Sequence, residues 1–515
     1  MSTFILSIFR VITQISLAHN TVLDSIGLPN EPSIMFDPLR PNVMIAGSNN
    51  DNYYRSNDTG RTWTQHKLTS SYGVWGDPVI DVDAQGNFYF FHLSNPPTGS
   101  WIDRIVCQRT TDDGLTWNDG SFAGKDSLKA QDKEWTIIDR NTGDIYMTWT
   151  QFDQYGSPNP LDSSLIMFSK STDSGLSWTT AKRISNKGGD CIDGDNTVEG
   201  ATPALGPNGE LYVAWAGPEG LVFNRSLDSG NTWLSQEIKI DAMPGGWNYT
   251  IPGINRANGL PITKCDLSGG PNHGTIYVNW SDQRNGVTDT DVWLSKSTDG
   301  GNTWSAPKRV NNDAPGKHQF FTWMDIDQTN GNLYFVFYDR RNHQVLGTDV
   351  YMAVSNDGGN TFSNFKISDE SFSPNTSVFF GDYTNIVAHN GVVRPIWTRM
   401  DSPELSILTD ITPTSHYLAN PELKEVEFSE FENYPNPSVH ETYVSFKLRH
   451  ASIVDLSLYN QKGELVAKIL EKEKREMGKY VELIPVKELQ LKSGTYYYNL
   501  SVNGESVTIK NVVVE

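Results

Sequence analysis

Of 515 residues only three are cysteine, Cys107, Cys191 and Cys265, too few for a disulfide framework, so the fold must be held by packing and hydrogen bonds. One pair, Cys191 with Cys265, stays open as a bridge. Positive charge is also scarce: 41 Lys and Arg stand against 61 Asp and Glu, a formal net charge of -20. With no basic field to draw in phosphates, nucleic acid is excluded as a partner. No apolar run is long enough for a transmembrane segment. The apolar stretch Phe4–Phe9 is interrupted by Arg10 and lacks a basic leader. The segment from Val11 to Ser16 instead reads as a strand, and the true signal peptide is expected to be missing from this chain.

Aromatics are plentiful, and many stand in a sentence written six times. Copies starting at Ser56, Thr110, Ser171, Ser226, Ser297 and Ser355 read Ser/Thr-x-Asp-x-Gly-x-Thr/Ser-Trp/Phe. Their aspartates, Asp58, Asp112, Asp173, Asp228, Asp299 and Asp357, lie 54, 61, 55, 71 and 58 residues apart, a period that suits one four-stranded sheet per repeat. The short Asp acceptor bonds nearby backbone N–H groups, the Gly permits positive φ, and the final aromatic wedges into the next strand. Between boxes the strands recur, as in Ile145–Trp149, Leu211–Trp215, Ile276–Trp280 and Leu333–Phe337. This motif resembles the Asp box of sialidases and related propellers, over roughly residues 30 to 400. The resemblance implies an all-β propeller, with the boxed aspartates as structural staples.

After the sixth box the pattern restarts at Gly381-Asp382-Tyr383, passes through Gly391–Trp397 and Leu405–Leu408, and lacks a box. A strand near Val11–Ser16 is expected to complete this last sheet and close the ring. That makes seven blades the favoured count, with six open, whereas sialidases have six.

Beyond residue 412 the grammar changes. Residues 413–430 read as a linker, and 431–515 as a small β-sandwich. There Tyr434-Pro435-Asn436-Pro437, Tyr459–Gly463, Leu491–Tyr496 and Lys510–Val514 resemble the C-terminal sorting domain of the type IX secretion system. The resemblance implies export to the cell surface or beyond, with the secretion machinery as a partner.

In an antiparallel blade, loops 1–2 and 3–4 share one face, and loops 2–3 and 4–1 share the other. The boxes occupy loop 3–4, so a site opposite them draws on residues just before strand 1 and just after strand 2. Those positions hold Asp77, Lys133, Glu134, Trp135, Glu199, Asp382 and Tyr383, then Gln151, Asp153, Asp282, Arg284, Asp339, Arg340 and Arg399. Carboxyl pairs suit acid–base work on a glycosidic bond, and arginines suit anionic groups. Glu134, Glu199, Asp282, Asp339 and Tyr383 are the candidate catalysts. Asp77, Lys133, Trp135, Arg284, Arg340 and Arg399 are the candidate substrate contacts. The structural alternative makes each Asp-x-Arg an ion pair and each pre-strand carboxylate a turn cap.

A sialidase needs three arginines around the substrate carboxylate, and its Arg-Ile-Pro signature is replaced here by Asn30-Glu31-Pro32-Ser33-Ile34. Arg284, Arg340 and Arg399, with Tyr383 and Glu134 or Glu199 nearby, offer a different cluster in its place. Asp193-Gly194-Asp195-Asn196 near Glu199 is a candidate calcium loop, with a solvated acidic loop as the alternative. The Asp81–Gly86 stretch only mimics one, since His92 takes the twelfth position. Three functions remain open: an exported, monomeric propeller that binds or hydrolyses an extracellular glycan or glycoprotein, a noncatalytic surface scaffold, and an exo-sialidase.

Overall fold

The computed structural model describes residues 19–401, 403–412, 428–448, 451–462, 464–502 and 505–513. These residues are strands, turns and loops without a helix. The chain divides into two compact units, Met1–Ala419 and Asn420–Glu515.

Among its described residues the first unit holds seven four-stranded antiparallel sheets. Six are contiguous in sequence and span 33–67, 79–123, 130–183, 199–241, 262–309 and 319–366. The seventh joins 385–410 to the strand Asn20–Asp24. The innermost strand of each sheet touches that of the next, and the seventh touches the first, so the sheets form a closed propeller ring.

Closure is thus made by the N-terminal side of the ring, but by a later segment than expected. Asn20 pairs with Asp410, Thr21 with Thr409 and Val22 with Leu408. Buried Asp24 then accepts hydrogen bonds from Tyr54 Oη (2.7 Å) and Gln65 Nε2 (2.8 Å), tying the strand to the first sheet. Val11–Ser16 lies outside the described residues.

All six boxes have one geometry. The Asp Oδ1 accepts from the first Ser or Thr hydroxyl and from the backbone N–H four residues on, and Oδ2 accepts from that residue's hydroxyl. The box Trp wedges against the preceding sheet: Trp117 on Tyr53, Trp178 on Phe91, Trp233 on Phe168 and Trp304 on Phe223, at 5.1–6.1 Å between ring centroids. The box glycines Gly230 and Gly301 also sit close, since a Cβ on either would lie 2.2 Å from the ring of Phe168 or Phe223. All three cysteines are free and buried, which removes the Cys191–Cys265 bridge.

In the second unit a three-stranded and a four-stranded sheet enclose a core that includes Val444, Phe446, Leu456, Leu458, Tyr498 and Leu500. The strand Phe428–Tyr434 begins inside the span expected to be linker, of which 413–427 lies outside the described residues.

Candidate functional site

The innermost strands share a distortion at their entry. Glu31, Asp77, Lys133, Gly200 and Phe321 have φ of 52°, 52°, 53°, 77° and 51°, and the strand pairing slips at Asp132/Trp135, Glu199/Thr202 and Phe320/Trp323. A bulge with one left-handed residue re-aims a side chain. Here it brings groups from separate sheets together. Lys133 Nζ of the third sheet lies 2.8 Å from Asp382, 3.2 Å from Asp77 and 3.6 Å from Glu31.

Around this cluster opens a cavity of about 330 Å³. It is lined by loops 4–1 and 2–3, on the face opposite the boxes. Its floor carries Glu31, Asp77, Asp132 and Lys133, and its walls carry Trp75, Trp101, Tyr155, Phe379 and Arg256. Trp75 and Trp101 meet edge to face at 5.9 Å, and Trp101 meets Tyr155 likewise at 5.8 Å. Beneath the cluster, Trp135 and Trp323 (4.2 Å) pack with Tyr383, leaving a crevice of only about 20 Å³. The site is therefore a mouth pocket over an aromatic plug.

Acids outnumber bases in it. Arg256 reaches in from the short hairpin of Asn248–Tyr249 and Ala257–Asn258, donates to Asp382 through Nε (2.9 Å) and Nη2, and donates to Asp193 through Nη1 (2.8 Å). Asn49 holds the floor, accepting from Asp77 N–H (2.8 Å) and donating to Asn30 and Glu31. The carboxyl of Asp77 is within hydrogen-bonding reach of those of Glu31 and Asp132.

Burial sets the protonation of these groups. It pushes Glu31 well above the usual carboxylate range, aided by Asp77 and Asp382 and opposed by Lys133. Burial, with Asp77 and Asp193, pushes Asp132 up to about 8. Burial would also raise Asp382, yet Lys133 and Arg256 hold it well below. Burial would lower Lys133, but Asp382, Asp77 and Glu31 keep it well above an ordinary lysine.

The residues expected from sequence fall into three groups. Asp77 and Lys133 line the cavity, while Trp135 and Tyr383 form the plug beneath it. Glu134 and Glu199 are buried beside the cluster without lining it. Both oxygens of Glu134 and Oε2 of Glu199 make no hydrogen bond, and burial raises both carboxyls, with Asp77 acting on Glu134 and Asp193 on Glu199. The third group is engaged in ion pairs and hydrogen bonds away from the cavity. Asp282 accepts from Trp280 Nε1 and Arg284, and Arg284 also bonds Asp241. Asp339 pairs with Arg341 rather than Arg340. Arg340 is buried over Phe320 with Nε on Thr348, and Arg399 pairs with Asp401 and Glu370. None of the three expected arginines lines the cavity, so the substitute clamp does not form.

Gln151 donates to Gln131, and Asp153 accepts from Ser163 and pairs with Lys129. In the expected calcium loop, Asp193 is taken by Arg256 and Tyr155 Oη, and Asp195 accepts from Asn248 N–H. No group of three or more ligating side chains among the described residues is arranged to hold a metal ion.

The positions that sequence reasoning missed are Trp75, Trp101, Tyr155, Phe379, Asp132 and Arg256. One signal for Arg256 was available: the box spacing is longest, 71 residues, between Asp228 and Asp299, where its hairpin is inserted.

A ring of four-stranded sheets joined to a small two-sheet unit defines an all-β propeller with a C-terminal β-sandwich. Residues 432–515 match the secretion system C-terminal sorting domain, a domain that indicates export by the type IX secretion system. No curated protein matches the sequence. Among solved structures the chain is similar to a Hadza microbial sialidase, with 14% identity over 73% of this chain and 75% of that one and a TM-score of 0.41. It is similar to the NanB sialidase of Streptococcus pneumoniae, with 10% identity over 72% and 83% and a TM-score of 0.43. An ulvan lyase, described as a new family of polysaccharide lyase, gives 13% identity over 76% and 94% and a TM-score of 0.44.

Proposed function

We propose that this chain is an exported propeller that binds an extracellular glycan in the mouth cavity opposite the Asp boxes. The observation carrying this reading is the cavity itself: exposed Trp75 and Trp101 beside a floor of hydrogen-bonding carboxyls. Sugars present apolar C–H faces that pack on aromatic rings and hydroxyls that donate to carboxylates. About 330 Å³ is at the low end for small-molecule sites, which run roughly 300–1,000 Å³. Export through the C-terminal domain places the cavity where extracellular glycans are met.

Two features favour binding of non-acidic sugars over exo-sialidase chemistry. The floor is acidic where a sialoside carboxylate would dock, and Arg284, Arg340 and Arg399 point their charge elsewhere.

The test is a glycan array probed with the full chain, followed by the array hits as fluorogenic glycosides. Binding that disappears in Trp101→Ala supports the reading. Turnover lost in Asp132→Asn would add hydrolysis, with Asp132 as proton donor. A folded protein that binds nothing on the array would sink it.

A further inference from the structure

The acids of the mouth cavity outnumber the cations that pair with them, and the excess falls on one residue. Five carboxyls, Glu31, Asp77, Asp132, Asp193 and Asp382, surround two cations, Lys133 and Arg256. Lys133 lies within 3.6 Å of Glu31, Asp77 and Asp382, and Arg256 pairs with Asp382 and Asp193. Among the described residues Asp132 makes no ion pair. Its Oδ1 accepts the backbone N–H of Lys133 at 3.0 Å, and Asp77 lies within hydrogen-bonding reach. Glu31 is sealed, whereas Asp132 is only half-buried and lines the cavity. It is the carboxyl that an entering ligand dehydrates.

Dehydrating a carboxylate with no cation beside it costs far more than dehydrating the neutral acid. Burial already opposes the ionisation of Asp132, as do Asp77 at the entry of the second sheet and Asp193 in the loop before the fourth. Lys133 on its own strand favours ionisation, but its ammonium is committed to Asp382 and Asp77. The other groups around it, Glu134, Glu199 and Tyr155, are themselves raised by burial and bring no positive charge. A proton on the Asp132 and Asp77 pair removes the cost and leaves the carboxyl able to exchange hydrogen bonds with sugar hydroxyls.

We propose that a glycan entering the mouth cavity holds Asp132 in its neutral acid form, so that binding takes up a proton and weakens as the solution turns alkaline. This rests on the glycan reading of the same site. The opposite arrangement, an ionised Asp132 accepting from sugar hydroxyls, would make affinity rise with pH.

The experiment is calorimetric titration of the full chain between pH 6.5 and pH 9. The probes are tetramers of glucose, galactose, mannose and N-acetylglucosamine, and the tightest array glycan that carries no amine or phosphate. None of these titrates in that range. Asp132 in the empty cavity is pushed up to about 8, so affinity is expected to fall about tenfold from pH 7 to pH 9. Repeating the titration at pH 8 in two buffers of different ionisation enthalpy should show uptake of about half a proton per glycan. Asp132→Asn, which keeps the shape and stays neutral, should bind with one affinity at both pH values and take up no proton. The wild-type slope stands as a test even if that variant does not fold. Affinity that is flat or rises from pH 7 to pH 9, or a slope that persists in folded Asp132→Asn, would overturn the proton linkage and leave the glycan reading intact. If no tetramer and no array glycan binds, both readings fall.

Discussion

Replacing Lys133 with Met is the sharpest probe of the cluster. The substitution keeps most of the side chain's length and apolar volume, so the loss is chiefly one charge. Lys133 is 7% exposed and lies within 3.6 Å of three carboxylates from three other sheets. Removing one partner of a buried ion pair costs about 3–5 kcal/mol, because the remaining charge stays buried. Arg256 still neutralises Asp382, which puts the expected loss at the lower end, about 3 kcal/mol at pH 8.

The loss should depend on pH, since Glu31 and Asp132, both raised by burial, can relieve their repulsion by taking protons. A carboxyl whose pKa is raised on folding binds more protons in the folded state, so its contribution to stability falls as pH rises from the unfolded value towards the folded one. Without Lys133 the carboxyls rise further, and the loss at pH 5 should be about 1 kcal/mol. Urea unfolding followed by tryptophan fluorescence measures this cleanly. All 15 tryptophans lie from Trp63 to Trp397, so the signal belongs to the ring alone. Lys133→Arg should recover most of the stability. Equal urea midpoints for wild type and Lys133→Met at pH 8, or equal losses at both pH values, would refute the charge-coupled cluster.

Other outcomes are expected from the same structure. Gly301→Ala should destabilise the ring by about 1–3 kcal/mol in the same assay, because φ of 88° and the 2.2 Å approach to Phe223 leave no room for Cβ. Asp24→Ala leaves the buried Tyr54 hydroxyl without one acceptor and frees the closing strand, a loss of about 1–3 kcal/mol visible as a lower urea midpoint. In the wild type, Asp132 titrates near 8, so the ring should be more stable at pH 5.5 than at pH 8.5. In acid the sign reverses: Asp299 and Asp357 are held at about 2 by hydrogen bonds from Thr303 and Thr361, and their support is lost as pH falls from about 4 to about 2.

The parts of the fold that repeat were legible, because a repeat fixes register. Six boxes placed six sheets, and the strand grammar after Asp382 supplied most of the seventh. The closing strand was misplaced because fourth strands carry little pattern: Lys182–Arg183 and Lys308–Arg309 are two residues long and largely exposed. The segment Asn20–Asp24 is recognisable only by its pairing and by Asp24. At the site, Asp77, Lys133 and Asp382 were visible because the strand-entry position recurs in every blade. Residues after strand 2 misled for a physical reason. In Asp282-Gln283-Arg284 and Asp339-Arg340-Arg341 the Asp side chain accepts the backbone N–H two residues on, which folds that arginine back onto its own carboxylate. The aromatic wall stayed hidden because Trp75, Trp101 and Tyr155 sit on loops without a common length or sequence.

The ring's closure also has a mechanical meaning. His19 and Ile411 stand side by side, with Ile411 N–H donating to His19 O at 3.1 Å, and the ladder runs inward from Asn20/Asp410 to Asp24/Ile407. Tension drawn on the chain through these two points loads that ladder from one end. Its hydrogen bonds then bear force one after another, as in a zipper, instead of sharing it in shear. A propeller sewn from seven sheets therefore opens under load at a single stitch line, and the Asp24 contacts with Tyr54 and Gln65 are the knot at its end.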